Sequence, residues 1–147
     1  MNITDILSPD CTRCAVQGTS KKRILEIISE IAASHISQSD QATILASLLN
    51  RERMGSTGIG NGIALPHGRL AGLDKVTAIL VTTESSIDFD AIDNQPVDVF
   101  FAILVPEDQA QGHLQTLATV AGCLNDKQRV KEMRSATQNQ ELFEAIA

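Results

Sequence analysis

His67, Arg51 and a second histidine, His113, are the side chains of this sequence whose types suit the handling of a phosphoryl group. A free imidazole titrates near pH 6.5 (about 6.5 in reference peptides), so much of it is neutral at neutral pH, with a nitrogen lone pair able to accept a phosphoryl group directly. The product is a high-energy N–P bond that can be passed onward. Transfer through a loose transition state demands mainly positioning and neutralisation of charge, and Arg51 is the natural neutraliser. His113 sits beside the apolar stripe of a later helical segment, where it can face the same pocket and hydrogen-bond His67 or its phosphate.

Between Arg51 and His67 lies Gly55-Ser-Thr-Gly-Ile-Gly-Asn-Gly-Ile-Ala-Leu-Pro-His-Gly68, with five glycines and one proline in fourteen residues. That density rules out a regular helix and weakens a central strand, so the segment reads as an ordered loop or an irregular edge. Successive glycine amides can point into one concavity and bind an anion there. Two nucleotide motifs fail on inspection. Gly55 and Gly60 have P-loop spacing, but Asn61-Gly62 stands where Lys and Ser or Thr are required, and Ile63 occupies the last glycine of a dinucleotide fingerprint.

On the residues alone, other readings stand beside phosphoryl acceptance. A histidine after proline is commonly a turn or structural group, and the glycine loop can hold an anion passively. Arg51 and Arg53 suit a helix C-terminus whether or not they do chemistry. His35 continues a helical apolar face and is read as structural, and Lys21-Lys22-Arg23 as an exposed helix face or a docking surface. Cys11-Thr-Arg-Cys14 has redox or metal spacing but no second Cys/His pair, so no metal site or disulfide is expected.

The elements that must position these groups follow from periodicity. A short extended piece spans Thr12 to Gln17. Ser20 caps a helix with Ile24, Ile27, Ile28 and Ile31 on one face, and Ser39 or Asp40 starts a second, with Ile44, Leu45, Leu48 and Leu49, ending before Gly55. Val76–Thr83 and Val97–Val105 are rich in β-branched and aromatic residues and read as the central strands, separated by a turn at Asp93-Asn-Gln-Pro96. After Pro106 a helix begins near Glu107 or Asp108, with Leu114, Leu117, Ala121 and Leu124 as its stripe; shorter helices follow near Lys127–Ser135 and from about Asn139 through Ile146. Helices before, between and after strands imply an α/β fold, a small mixed sheet flanked by helices, in a single domain spanning 1–147.

Composition agrees: 43% apolar and 20% charged residues describe an ordinary globular chain, with no low-complexity tract. The net charge of −6, with no Trp or Tyr, argues against nucleic acid and anionic lipid as partners. No apolar run reaches the length of a membrane span and the first residues lack a basic then apolar leader, so a cytoplasmic protein without membrane insertion is expected.

The stretch Arg51-Glu-Arg-Met-Gly-Ser-Thr-Gly-Ile-Gly-Asn-Gly-Ile-Ala-Leu-Pro-His-Gly-Arg69 strongly resembles the phosphoryl-acceptor motif of IIA components of the phosphoenolpyruvate-dependent phosphotransferase system, mannitol/fructose class. Ser20–Glu30, Phe89–Asp98 and Leu104–Gln109 extend the resemblance along nearly the whole chain, toward the nitrogen-regulatory branch of that class. It implies the type-2 IIA fold, with His67 phosphorylated and Arg51 and His113 as its neighbours. It further implies no cofactor, metal ion or nucleotide at this step, and a small histidine phosphocarrier, itself charged by an enzyme I paralogue, as donor. Regulatory targets related to nitrogen or potassium, such as transporters and sensor kinases, would read the phosphorylation state. A sugar-specific IIA passing phosphate to a fructose or mannitol permease is the alternative; a stand-alone signalling protein, without the fused permease or carrier domains common in sugar-specific relatives, is the expectation.

Overall fold

The computed structural model describes residues 2–108 and 113–147, with the side chain of His113 outside that description. Two single-turn 3-10 helices, Ile3–Asp5 and Pro9–Cys11, lead into β1 (Thr12–Val16). Helices α1 (Lys21–His35) and α2 (Gln41–Arg53) follow, then β2 (Gly58–Gly60), β3 (Ile63–Ala64), β4 (His67–Leu70), β5 (Thr77–Ile87) and β6 (Val97–Pro106). Helices α3 (His113–Leu124), α4 (Lys127–Ser135) and α5 (Asn139–Ile146) close the chain. The α/β class and the small mixed sheet flanked by helices agree with the reading of the sequence.

Both expected caps form. Ser20 Oγ accepts from the Arg23 amide and Asp40 Oδ1 from the Thr43 amide, at 3.1 and 2.8 Å, each satisfying an amide that the first helical turn leaves without a partner. The apolar face of α1 buries Ile24, Leu25, Ile28 and Ile31 completely or nearly so, and α2 contributes Ile44 and Leu48. These two helices pack on each other, α1 also on β5 and α2 on β4.

The sheet runs β1-β5-β6-β3-β2, and β4 pairs with β6 beyond β3. β5 and β6 are antiparallel; β6 is almost wholly buried and β5 is buried from Thr77 to Thr83 before emerging at Glu84–Ser86, which is why their buried stretches read as apolar runs. On its other edge β6 receives β3 and then β4, both parallel, with Ala64 opposite Phe100 and His67 opposite Ile103 in one unbroken register. Pro66, without an N–H, interrupts the ladder only as a donor: its carbonyl accepts from the Ile103 amide at 2.9 Å. In the core, Phe89 and Phe100 meet edge to face with centroids 5.3 Å apart.

Several expectations are corrected. Of the two readings of the glycine segment, an ordered loop or an irregular edge, the second is the nearer: the short strands β2, β3 and β4 carry it and His67 opens β4. Gly68 lets that strand press against α2, where a Cβ would collide with Ser47 Oγ and lie 3.2 Å from the Ser47 backbone carbon. Among the described residues of α3, Thr116, Val120 and Leu124 are buried and Leu117 and Ala121 pack partly buried against the core, while Leu114 is 74% exposed. The expected stripe thus holds at Leu117, Ala121 and Leu124 but not at Leu114. Glu107 and Asp108, where the helix was expected to begin, form a turn instead, and the first described residue of α3 is His113. His35, the last residue of α1, is exposed rather than half-buried.

Candidate functional site

Arg51 is in the last turn of α2, and His67 opens β4 sixteen residues later. The contact between α2 and β4, made possible by Gly68, brings them together: Arg51 Nε donates to His67 Nε2 at 3.2 Å. The other ring nitrogen, Nδ1, lies 2.9 Å from the Leu65 carbonyl oxygen. A carbonyl can only accept and a guanidinium can only donate, so this network fits one form of the ring: neutral, with the proton on Nδ1 and the lone pair on Nε2. Half-burial pushes the His67 pKa below its ordinary value, and the positive charge of Arg51 adds to that. The Leu65 carbonyl and the carboxylate of Glu52 oppose it, without reversing the direction.

Arg51 is held at a second point, Nη1 donating to the Gly55 carbonyl at 2.8 Å. The glycine segment is in turn tied to α2 through Glu52, whose buried carboxylate accepts from the Thr57 amide at 3.1 Å and from the Thr57 hydroxyl through the same oxygen, Oε1. Its other oxygen is paired with Lys21 Nζ at 2.7 Å, and that ammonium lies 4.7 Å from the centre of the Phe89 ring. Ser56 Oγ bridges the Phe89 carbonyl and the Gly58 amide. At the hairpin between β2 and β3, Asn61 and Gly62 both take positive φ, and Arg134 of α4 donates to the Asn61 carbonyl while pairing with Asp98.

These bonds alter one expectation. The amides of Thr57, Gly58 and Asn61 are not converged on an anion-binding hollow; they are taken by Glu52, Ser56 and Asp93 respectively. The glycines serve chain geometry, with Gly58 lying against Ala91 where a Cβ would be within 2.7 Å. Lys21 is likewise no exposed face residue but half-buried, whereas Lys22 and Arg23 are exposed. Arg69 is exposed on β4, and Arg53 is turned to Asn50. Cys11 is buried, which pushes its thiol pKa up, and Cys14 is half-buried on β1.

Thus two of the three expected side chains, His67 and Arg51, meet. His113 is the first residue of α3, and its side chain lies outside the described residues. Reasoning from sequence missed Glu52, Thr57 and Lys21. A signal for Glu52 was present: it continues the Ile44, Leu48 spacing by four more residues, which places a carboxylate on the buried face of α2.

The sequence matches the family described as phosphoenolpyruvate-dependent sugar phosphotransferase system, EIIA 2, over residues 5–147, and the chain belongs to that family. It is 49% identical over 147 residues to a nitrogen regulatory protein of Klebsiella oxytoca, covering 99% of this chain and 90% of that one. The crystal structure of the nitrogen regulatory protein IIA-Ntr from Neisseria meningitidis superposes with a TM-score of 0.91 at 32% identity, over 99% of both chains. A fructose-specific EIIA component of Haloferax volcanii is 29% identical, over 100% of this chain and 97% of that one. The similarity to nitrogen regulatory proteins supports a IIA component of the nitrogen branch of the phosphotransferase system, and members of this family work with phosphocarrier proteins. Among the described residues no helix is long and apolar enough to cross a membrane.

Proposed function

We propose that the chain, residues 1–147 acting as one unit in the cytoplasm, is a histidine phosphocarrier that accepts a phosphoryl group on His67 Nε2 and regulates other proteins by its phosphorylation state. The observation that carries this reading is the pair of opposed bonds on the imidazole, Nδ1–H to the Leu65 carbonyl and the Nε2 lone pair toward Arg51.

The donor is a phosphohistidine of a small histidine carrier. The Nε2 lone pair of His67 attacks phosphorus, the donor's N–P bond breaks, and its electron pair returns to the donor ring, which becomes neutral. Positive charge develops on the His67 ring as the new bond forms, and the Leu65 carbonyl, already accepting from Nδ1–H, stabilises it. Arg51 Nε–H must turn from the lone pair to the incoming phosphoryl oxygens, a short movement because Nη1 remains anchored on Gly55. There the guanidinium neutralises the charge spread over those oxygens. His113, the counterpart of the family's second histidine, is assigned as a further neighbour of the phosphoryl group. No metal ion, nucleotide or other cofactor takes part.

Phosphorylation adds about two negative charges to a protein that already carries −6. Regulatory targets, proteins related to nitrogen or potassium such as transporters and sensor kinases, discriminate the two forms by that local change of charge. The test is incubation of the protein and of His67→Ala with a nitrogen-branch enzyme I, the small carrier and phosphoenolpyruvate, followed by intact mass. An acid-labile, alkali-stable phosphate on the wild type alone supports the reading; no phosphate on either leaves the glycine segment a structural element.

The similarity to a fructose-specific EIIA component favours a second reading, in which His67 passes its phosphoryl group to the cytosolic domain of a sugar permease. Rapid transfer to such a domain would replace the purely regulatory role.

A further inference from the structure

The hydrogen bonds around His67 form a closed circuit that begins and ends on two consecutive residues of α2. From Arg51 it passes to His67 Nε2, then from His67 Nδ1 to the Leu65 carbonyl. The Leu65 amide donates to the Thr57 carbonyl at 3.0 Å, and the amide and hydroxyl of Thr57 return to the carboxylate of Glu52. Glu52 also closes the helix end, its carbonyl accepting from the Gly55 amide at 3.1 Å, while the Gly55 carbonyl holds Arg51. Its side chain is 5% exposed, and Lys21 at 2.7 Å offsets the charge. A buried carboxylate costs free energy unless it is paired and hydrogen-bonded, and the partners that satisfy this one include the segment carrying the carbonyl that selects the tautomer of His67.

We propose that Glu52, with Lys21 as its counter-ion, is a positioning residue for phosphoryl acceptance: through Thr57 and Leu65 it holds His67 as the Nδ1–H tautomer with Nε2 facing Arg51. The inference rests on the phosphocarrier reading for its consequence, but its structural content is independent of it. Glu52 touches neither imidazole nor phosphoryl group. It fixes where the Leu65 carbonyl stands, and the carbonyl fixes which ring nitrogen keeps the lone pair. Loss of that carbonyl position leaves the ring free to populate the Nε2–H form, which cannot attack and whose proton opposes Arg51 Nε–H.

The experiment is nitrogen-15 NMR of the His67 imidazole in the full chain, at a pH well above its titration, with carrier-dependent phosphorylation rates measured in parallel. The wild type is expected to be predominantly Nδ1–H. Glu52→Gln, whose amide would face the Lys21 ammonium, is expected to populate the Nε2–H tautomer and slow acceptance by about tenfold to a hundredfold. Combining Glu52→Gln with Lys21→Met removes that conflict while keeping a carbonyl for Thr57, and is expected to restore the tautomer and most of the rate. Thr57→Val, which deletes only the hydroxyl, supplies a milder perturbation in the same direction should Glu52→Gln fail to fold. A folded Glu52→Gln or Thr57→Val with a lower Tm but unchanged tautomer and rate overturns the proposal, as does a wild type already in the Nε2–H form. A wild type that shows the expected tautomers but takes no phosphate overturns the phosphocarrier reading and leaves the positional one standing.

Discussion

Arg51 Nε points at the lone pair of His67 Nε2 across 3.2 Å, so the group proposed to neutralise the phosphoryl charge rests on the atom proposed to receive it. An arginine in this place both marks the reactive nitrogen and keeps its proton off, because a second positive charge beside the guanidinium is unfavourable.

Replacing Arg51 tests both effects at once. Arg51→Met is expected to lower the rate of carrier-dependent phosphorylation by about 10²- to 10³-fold, the range seen when one charge-stabilising donor is removed from a transition state. Arg51→Lys keeps the charge but not the fork that spans His67 and Gly55, and should recover only part of the rate. Intact-mass time courses read the result.

The pH dependence follows from the direction of the His67 shift. Burial first, then Arg51, hold the folded pKa below the ordinary 6.5, so the ring stays neutral and competent into mildly acid solution. The phosphorylation rate should be flat above pH 6.5 and fall only as pH drops through the lower, folded value. For stability the sign runs the same way. Above the unfolded pKa the ring is neutral in both states; as pH falls below it the unfolded chain binds the proton first, so stability contributed by the neutral ring is lost between the two values. NMR titration of His67 and denaturant melts across that window measure both, and Arg51→Met should move the titration upward.

Gly68→Ala is expected to cost about 1–3 kcal/mol, because the new methyl group meets Ser47 of α2. The strand carrying His67 must move off the helix carrying Arg51, so phosphorylation should slow more than the loss of stability alone explains. Ser47→Gly in the same chain should recover part of both, since it removes the hydroxyl and Cβ that the methyl group strikes. Denaturant melts and phosphorylation rates of the three variants decide it.

Arg134→Gln removes the cation that joins Asp98 to the Asn61 carbonyl. Both side chains of the pair are about one-third exposed, at 37% and 30%, so the loss should be about 1 kcal/mol or less. Phosphorylation should change by less than about twofold, because this clasp holds the far end of the glycine segment and not His67. A small drop in Tm with an unaltered rate is the expected pair of results.

Helix positions were legible because caps and apolar spacing are local: Ser20 and Asp40 stand where the reading put them, and α4 and α5 fall on the expected residues. The central strands were legible where burial on both faces makes them apolar runs, all of β6 and β5 up to Thr83; the exposed polar end of β5, Glu84–Ser86, carried no such signal. The short strands β3 and β4 were not, since two and four residues beside glycine and proline carry no periodicity, and only the long-range pairing with β6 makes them strands. Leu114 misled because a leucine at a plausible stripe position says nothing of which way the helix is rotated on the sheet. At the site, residue types named His67 and Arg51, but the work of Glu52 depends on a buried carboxylate meeting Thr57 and Lys21 from three separate segments, which no single window of sequence contains.

The parallel pairing of β4 with β6 has a bearing on motion. The carbonyl just before His67 is bonded to the Ile103 amide, in a strand whose neighbours on both sides are part of the buried sheet. Opening that bond requires lifting β4 away from both the buried strand β6 and helix α2, so the Ile103 amide should exchange slowly with solvent. The imidazole is therefore mounted on a strand held from two sides, and a partner that engages it meets a backbone already in place, with little ordering entropy lost at the moment of contact.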